Sequence, residues 1–136
     1  MLVLAHRPDL TQHNVALGWL QSALAGEEPV AVCDVILAST YRILSNPKLT
    51  NEASAAERAM TFLDEIRALS VVISPADRYW TIFRALVTES RAVGNLVTDA
   101  GIAAMAIEQG CSLATFDHDF ARFPGLNWFE PVHRSQ

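Results

Sequence analysis

TDAGIAAMAIEQGCSLATFDHDF, residues 98–120, carries the clearest structural pattern in the chain. Its first part predicts a helix from Thr98 to Gln109, which Gly110 ends, and the centre of this helix is apolar on nearly every side. CSLAT, residues 111–115, follows at once as a short apolar strand. Because such a helix must be covered on most sides, this part of the chain predicts the interior of an α/β protein.

The rest of the chain continues the alternation of helices and short apolar strands. Further helices are predicted over residues 13–26, 34–45, 54–68 and 77–92, and further strands over residues 1–5, 30–33, 71–74 and 126–130. Strands that are apolar throughout, with helices between them, are typical of a mostly parallel sheet covered on both faces. We therefore predict one α/β domain over residues 1–136.

The composition restricts the class of protein. A length of 136 residues fits one domain, and no apolar run approaches the roughly 20 residues that a membrane span needs. Two scattered cysteines and no export signal predict a cytoplasmic protein. The net charge of −5 disfavours a protein that coats nucleic acid. It is compatible with a cluster of carboxylates that binds cations, which then bridge to phosphates.

Two aspartates lie where an α/β sheet binds its ligands, beyond the carboxyl ends of the strands. Asp117 follows the predicted strand 111–115, and Asp99 lies in the first turn of the predicted helix. Taken singly, each is more typical of a turn or a helix cap. Together they indicate an oxygen-only site for Mg²⁺ or Mn²⁺. Asp119 is either a further ligand from the same loop or the cap of its own short helix.

The other candidate residues are open to two interpretations each. Asn95 either hydrogen-bonds the site or turns the loop after Gly94. Arg42 and Arg122 either contact RNA phosphates or form surface salt bridges. His6 and His118 near strand ends are either catalytic or solvated loop residues. The sequence contains no EF-hand, P-loop, GxGxxG or G-x-S-x-G motif.

Three segments resemble a known family. VGNLVTDAGIAAMAIEQGCSLATFDHDFARFPGLNW, residues 93–128, is similar to the C-terminal half of a PIN domain of the VapC toxin type, from bacterial toxin–antitoxin pairs. N-x-x-x-D-A followed by T-x-D-x-D-F is the specific part of this resemblance. Residues 4–20 and 34–49 are similar to the first helix and the second segment of the same family.

The resemblance implies a three-layer α/β/α fold around a central, mostly parallel sheet. It implies an endoribonuclease that depends on Mg²⁺ or Mn²⁺, forms a homodimer, cleaves RNA and is silenced by a cognate antitoxin. By motif match, Asp99 and Asp117 correspond to metal-binding carboxylates, and Asp119 corresponds to an accessory acid of the catalytic site.

Two acidic positions of the family have no counterpart in this chain. The aspartate of the first strand would fall before Met1, and Ser39 stands where the family usually has a glutamate. Either the natural start lies upstream, or the chain is a catalytically degenerate PIN-like module that acts by antitoxin binding or dimerisation. A phosphatase acting on small phosphoesters is a third alternative.

Overall fold

The computed structural model describes residues 1–48 and 55–132, and the chain divides into two compact units. The first unit runs from Met1 to Val72 and includes Val132, and the second runs from Ile73 to Pro131. The helices of the described residues are α1 (Leu2–His6), α2 (His13–Ala25), α3 (Asp34–Leu44), α4 (Ala55–Leu69), α5 (Tyr79–Ser90), α6 (Asn95–Gln109) and a 3₁₀ helix (His118–Arg122). The strands are β1 (Ala31–Val32), β2 (Val71–Val72), β3 (Leu113–Ala114) and β4 (Trp128–Phe129).

The first unit combines four helices with one parallel strand pair. Ala31 of β1 lies opposite Val71 of β2, and α3 packs against both α1 and α4. The predicted helices and strands of this part are confirmed from residue 13 onward, although residue 54, the predicted start of α4, lies outside the described residues. The core of the unit includes Leu20, Leu37, Leu44, Leu63 and Ile66.

The predicted strand over residues 1–5 is wrong. This segment forms α1, and its buried residues are Leu2 and Ala5, whose spacing of three places both on one face of a helix. An apolar run this short carries no usable periodicity, so the sequence cannot distinguish a buried strand from a buried helical turn. Packing of α1 against α2 and α3 decides in favour of the helix.

The second unit contains residues 98–120, the predicted helix and strand with the two aspartates that follow. β3 and β4, which lie within the predicted strands 111–115 and 126–130, pair in parallel with Leu113 opposite Trp128. Because parallel strands cannot be joined by a tight turn, residues 115–127 form a crossover that includes the 3₁₀ helix. Helices α5 and α6 pack against each other. The buried core of the unit includes a cluster of Leu86, Ala100, Ala103, Ala104, Phe120 and Phe123.

Helix α6 begins at Asn95, three residues before the predicted start at Thr98. The residue before it, Gly94, has φ +60°, a left-handed conformation that glycine adopts without steric cost. This glycine turns the chain directly into the helix. Asp99 therefore lies in the second turn of α6 and not in the first, where a carboxylate would complement the helix dipole.

No helix among the described residues is long and apolar enough to cross a membrane.

A carboxylate on α6 caps the start of α5, and its removal should destabilise the protein. The Glu108 side chain accepts hydrogen bonds from the backbone N–H groups of Ala76 at 2.9 Å and Arg78 at 2.8 Å. We expect Glu108→Ala to lower the free energy of unfolding by about 1–2 kcal/mol, because two donors at a helix start lose their acceptor. Glu108→Gln, which keeps one acceptor, should lose less. Urea denaturation of both variants measures this difference, and equal losses would contradict the capping role.

Candidate active site

Asp99 is a half-buried carboxylate in an unfavourable electrostatic setting. Burial, followed by the negative charges of Asp117 and Asp119, raises its pKa above the ordinary value of 3.8. No described residue donates a hydrogen bond to the Asp99 side chain. A partly desolvated anion without a donor and with like charges nearby is costly, unless a cation completes the site.

Asp117 begins the crossover immediately beyond β3. Its N–H donates to Oγ1 of the buried Thr115 at 3.0 Å, and its Oδ1 accepts from the N–H of Asp119 at 2.9 Å. Asp117 is thus the N-cap of the 3₁₀ helix, as one interpretation of the sequence predicts. The cap uses only the Oδ1 oxygen of Asp117. Within the described part of the chain Oδ2 accepts no hydrogen bond, so the cap leaves one carboxylate oxygen available.

Asp119 lies in the first turn of the same 3₁₀ helix. Its Oδ1 is 3.7 Å from Nε of Arg122, and both side chains are exposed. Arg122 therefore forms the surface ion pair that was the alternative to a phosphate contact. At this distance and exposure the pair is weak, which leaves both side chains able to reorient toward a ligand.

The remaining predicted candidates are distributed over both units. Asn95 is the exposed first residue of α6, one turn before Asp99 in the second unit. Arg42 lies exposed in the last turn of α3 in the first unit, and half-buried Ser39 lies in the same helix. The ring of His6 packs on the ring of Phe62, with centroids 4.7 Å apart. This contact favours a packing role for His6.

The structure also brings to the crossover a residue that the sequence analysis did not consider. Glu130 follows β4, and its Oε2 lies 2.8 Å from Nε2 of His118. The ring of His118 lies 5.6 Å from the ring of Trp128, between centroids. Residues that follow two paired parallel strands meet at one edge of the sheet, which is the general signal for such a contact, but the register that brings these two residues together is not specified by the local sequence.

The donors at this edge suit a hard divalent cation. The three aspartates offer only carboxylate oxygens, which Mg²⁺ and Mn²⁺ prefer. Among residues 1–48 and 55–132 no three His, Cys, Asp or Glu side chains are arranged as a ready cage for a metal ion. Mg²⁺ does not need one, since it is commonly held by one or two carboxylates together with water and substrate phosphates. The residues therefore fit an open site that substrate completes.

A surface depression elsewhere in the second unit contains none of these carboxylates. It has a volume of about 480 Å³ and lies along α5, lined by Trp80, Thr81, Arg84, Ala85, Thr88 and Glu89.

Residues 3–126 match the family model described as PIN domain. The chain belongs to the PIN-domain family. It is 33% identical over 134 residues to the VapC ribonuclease Mb2897 of Mycobacterium bovis, covering 97% of this chain and 91% of that protein. It is 31% identical over 133 residues to Ribonuclease VapC25 of Mycobacterium tuberculosis, covering 96% and 94%. The resemblance to VapC-like PIN domains is therefore confirmed.

A solved structure shares the fold. The crystal structure of VapBC2 from Rickettsia felis bound to a DNA fragment from their promoter contains a chain that superposes with a TM-score of 0.70 and 22% identity. The superposition covers 95% of this PIN domain and 92% of that chain. The predicted α/β PIN fold is confirmed.

The charges around Asp99 predict a gain in stability when one of them is removed. Folding raises the pKa of Asp99, so deprotonation of this carboxyl costs more in the native state than in the unfolded chain. The resulting loss of stability grows as the pH rises from the ordinary pKa of 3.8 through the raised pKa, and it is complete above both pKa values. We expect Asp99→Asn to raise the free energy of unfolding at pH 7 by a few tenths to about 1 kcal/mol, a range discounted for partial exposure. The gain should disappear below the ordinary carboxyl pKa. Thermal unfolding without divalent cations at pH 7 and pH 3 measures it, and a loss of stability at pH 7 would contradict this account.

Proposed function

We propose that this PIN domain is a divalent-metal-dependent endoribonuclease toxin of a type II toxin–antitoxin pair. The substrate class is RNA, and the reaction is hydrolysis of phosphodiester bonds. The proposal is supported by the relatives, which are named VapC ribonucleases, and by the carboxylates that follow β3 and face α6.

The observation that carries the proposal is the setting of Asp99. This side chain is half-buried, has no hydrogen-bond donor among the described residues, and has a raised pKa because of burial and two neighbouring aspartates. Purely structural carboxylates are normally paired or hydrogen-bonded. An anion held without such a partner beside other anions is typical of a site for a cation.

Each residue has a specific task in this proposal. Asp99 and the Oδ2 oxygen of Asp117 would hold Mg²⁺ or Mn²⁺, and the hydrogen bond from the Asp119 N–H would fix the orientation of the Asp117 carboxylate. When bound, such a cation neutralises charge on a phosphodiester and lowers the pKa of water. Asp119 assists as an accessory acid. Arg122, with Asn95 and Arg42 as weaker candidates, would contact RNA phosphates.

The proposed partners follow from the same relatives. A cognate antitoxin would silence the nuclease, in keeping with the VapBC pair in the structure from Rickettsia felis. A homodimer in the cytoplasm completes the proposal. Co-expression of the chain with a cognate antitoxin should relieve growth arrest and yield a stable complex on gel filtration.

RNA cleavage by the purified protein tests the proposal. We expect labelled RNA to be cut in Mn²⁺ or Mg²⁺, and cleavage to stop when EDTA is added. RNA left intact in both conditions, by protein that is folded and free of antitoxin, would contradict the proposal. Cleavage that is undiminished in EDTA would contradict the metal dependence.

A second candidate function is a non-catalytic PIN-like module that binds the antitoxin or dimerises. It is favoured by Ser39 at the position where the family usually has a glutamate, and by the absence of a ready three-ligand cage in the described ranges. Under this alternative, antitoxin binding persists while Mn²⁺ neither stabilises the fold nor supports RNA cleavage.

A further inference from the structure

His118 lies between Asp117 and Asp119 in the crossover. Its side chain is held by Trp128 of β4 and by Glu130, the first residue after β4. The ring of His118 packs against Trp128 with centroids 5.6 Å apart, and its Nε2 lies 2.8 Å from Oε2 of Glu130. His118 is thus held by one apolar contact from β4 and one polar contact from the residue that follows β4.

The backbone restrains the same turn from its other end. Thr115 N–H donates to the carbonyl of Phe129 at 3.0 Å, and Thr115 Oγ1 accepts from the Asp117 N–H at 3.0 Å. The residues around Asp117 are therefore bonded to Phe129 of β4 through Thr115 before it, and to Glu130, directly after β4, through His118 after it. The turn that carries Asp117 and Asp119 is restrained by β4 as well as by its own 3₁₀ helix.

We propose that Glu130 and Trp128 are positioning residues, which act through His118 to hold the Asp117 and Asp119 carboxylates ready for a divalent cation. The inference rests on the proposed function, because it explains the contacts of His118 by a metal site at Asp117 and Asp119. Neither residue needs to touch the cation or the RNA. Outer groups that orient metal-binding side chains typically change metal affinity 10- to 100-fold when they are removed.

The same contacts are also compatible with ordinary surface pairing that has no role in the site. The side chains of His118 and Glu130 are 70% and 45% exposed, and exposed ion pairs often contribute little to stability. This exposure is useful for a test, because removing the pair should leave the fold intact. A change in the site then reports on positioning and not on unfolding.

Three variants distinguish positioning from charge and from general surface effects. Glu130→Ala removes the contact, while Glu130→Gln removes the charge but keeps a group that can hydrogen-bond Nε2 of His118 in either ring tautomer. Arg67→Ala is the matched control, since it breaks another exposed pair, Arg67–Asp34, with N···O at 3.0 Å and exposures of 50% and 71%.

The first measurement is hydrogen exchange of the Asp119 amide by NMR without metal. This amide donates to Asp117 Oδ1 and reports directly on the order of the turn. We expect exchange to become about fivefold faster in Glu130→Ala, the effect of losing a surface contact near the upper end of its range. Glu130→Gln and Arg67→Ala should exchange at nearly the wild-type rate.

The second measurement is the Mn²⁺ concentration that gives half of the maximal rise in Tm. We expect it to increase about tenfold in Glu130→Ala, with Glu130→Gln and Arg67→Ala close to wild type. Unchanged exchange and unchanged Mn²⁺ response in Glu130→Ala would overturn the inference. An equally weak response in Glu130→Gln would also overturn it, since charge and not position would then be responsible. A wild-type protein that shows no Mn²⁺ response would instead refute the proposed function, and with it the purpose assigned to the contacts.

Discussion

Replacing Asp117 with asparagine should reduce RNA cleavage by on the order of 100- to 1,000-fold, the loss of several kcal/mol of metal-dependent transition-state stabilisation. Asparagine keeps a carbonyl oxygen that can accept from the Asp119 N–H, so the N-cap of the 3₁₀ helix survives. What disappears is the negative charge that the proposed cation needs. The rate of cleavage of labelled RNA under single-turnover conditions measures the effect.

A matched variant controls for the loss of a surface charge. Asp77 is an exposed aspartate of the same unit, located before α5. Asp77→Asn removes the same charge by the same substitution and should cleave RNA at nearly the wild-type rate. Cleavage by Asp117→Asn within about twofold of Asp77→Asn would remove Asp117 from the proposed site.

The largest expected effect on stability belongs to Phe120, the residue that anchors the 3₁₀ helix in the core. Its side chain is 6% exposed and packs edge-on against Phe123, with ring centroids 6.0 Å apart. We expect Phe120→Ala to lower the free energy of unfolding by about 3–5 kcal/mol, because a buried aromatic ring is replaced by a cavity. Urea denaturation followed by circular dichroism measures the loss.

Phe129 provides the comparison for that substitution. It is the same residue type in the same unit, but its side chain is 40% exposed. Phe129→Ala should lose clearly less stability than Phe120→Ala, since the transfer term shrinks with the buried area. Equal losses for the two variants would mean that the crossover is not anchored through Phe120.

The parallel strand pairs and the long helices could be predicted because their patterns are local. The strand predicted at 111–115 appears as β3 (Leu113–Ala114), and the helix before it ends before Gly110 as predicted, although it begins three residues early. The second strand of that pair was predicted from LNWFE, and its parallel pairing agrees with the mostly parallel sheet that the alternation of helices and apolar strands predicted. Residue order was enough to place Asp117 at the carboxyl end of β3.

Two features could not be predicted because tertiary contacts decide them. Residues 1–5 became a helix through packing against α2 and α3, which a five-residue apolar run does not reveal. The start of α6 at Asn95 depended on the left-handed Gly94, where Gly-Asn is more typical of a turn. That shift changed the interpretation of Asp99, since it moved the carboxylate out of the helix's first turn.

The candidate site was predicted in part. The approach of Asp99 to Asp117 and Asp119 is supported by the effect of their charges on the pKa of Asp99. The contact of Glu130 with His118 was not foreseen, because it joins residues twelve positions apart through the register of β3 and β4. Register is set by pairing and crossover geometry, which the local sequence does not specify.

The most direct test of the central claim is a Mn²⁺ titration of wild type, Asp99→Asn and Asp117→Asn, followed by thermal unfolding. A ligand that binds only the native state stabilises it by mass action, so a site formed by these two carboxylates must raise the wild-type Tm. The proposed metal site predicts a saturable rise for wild type and a much smaller one for each variant, although Asp99→Asn starts from a higher Tm without metal. A flat wild-type response, or equal rises in all three proteins, would contradict it.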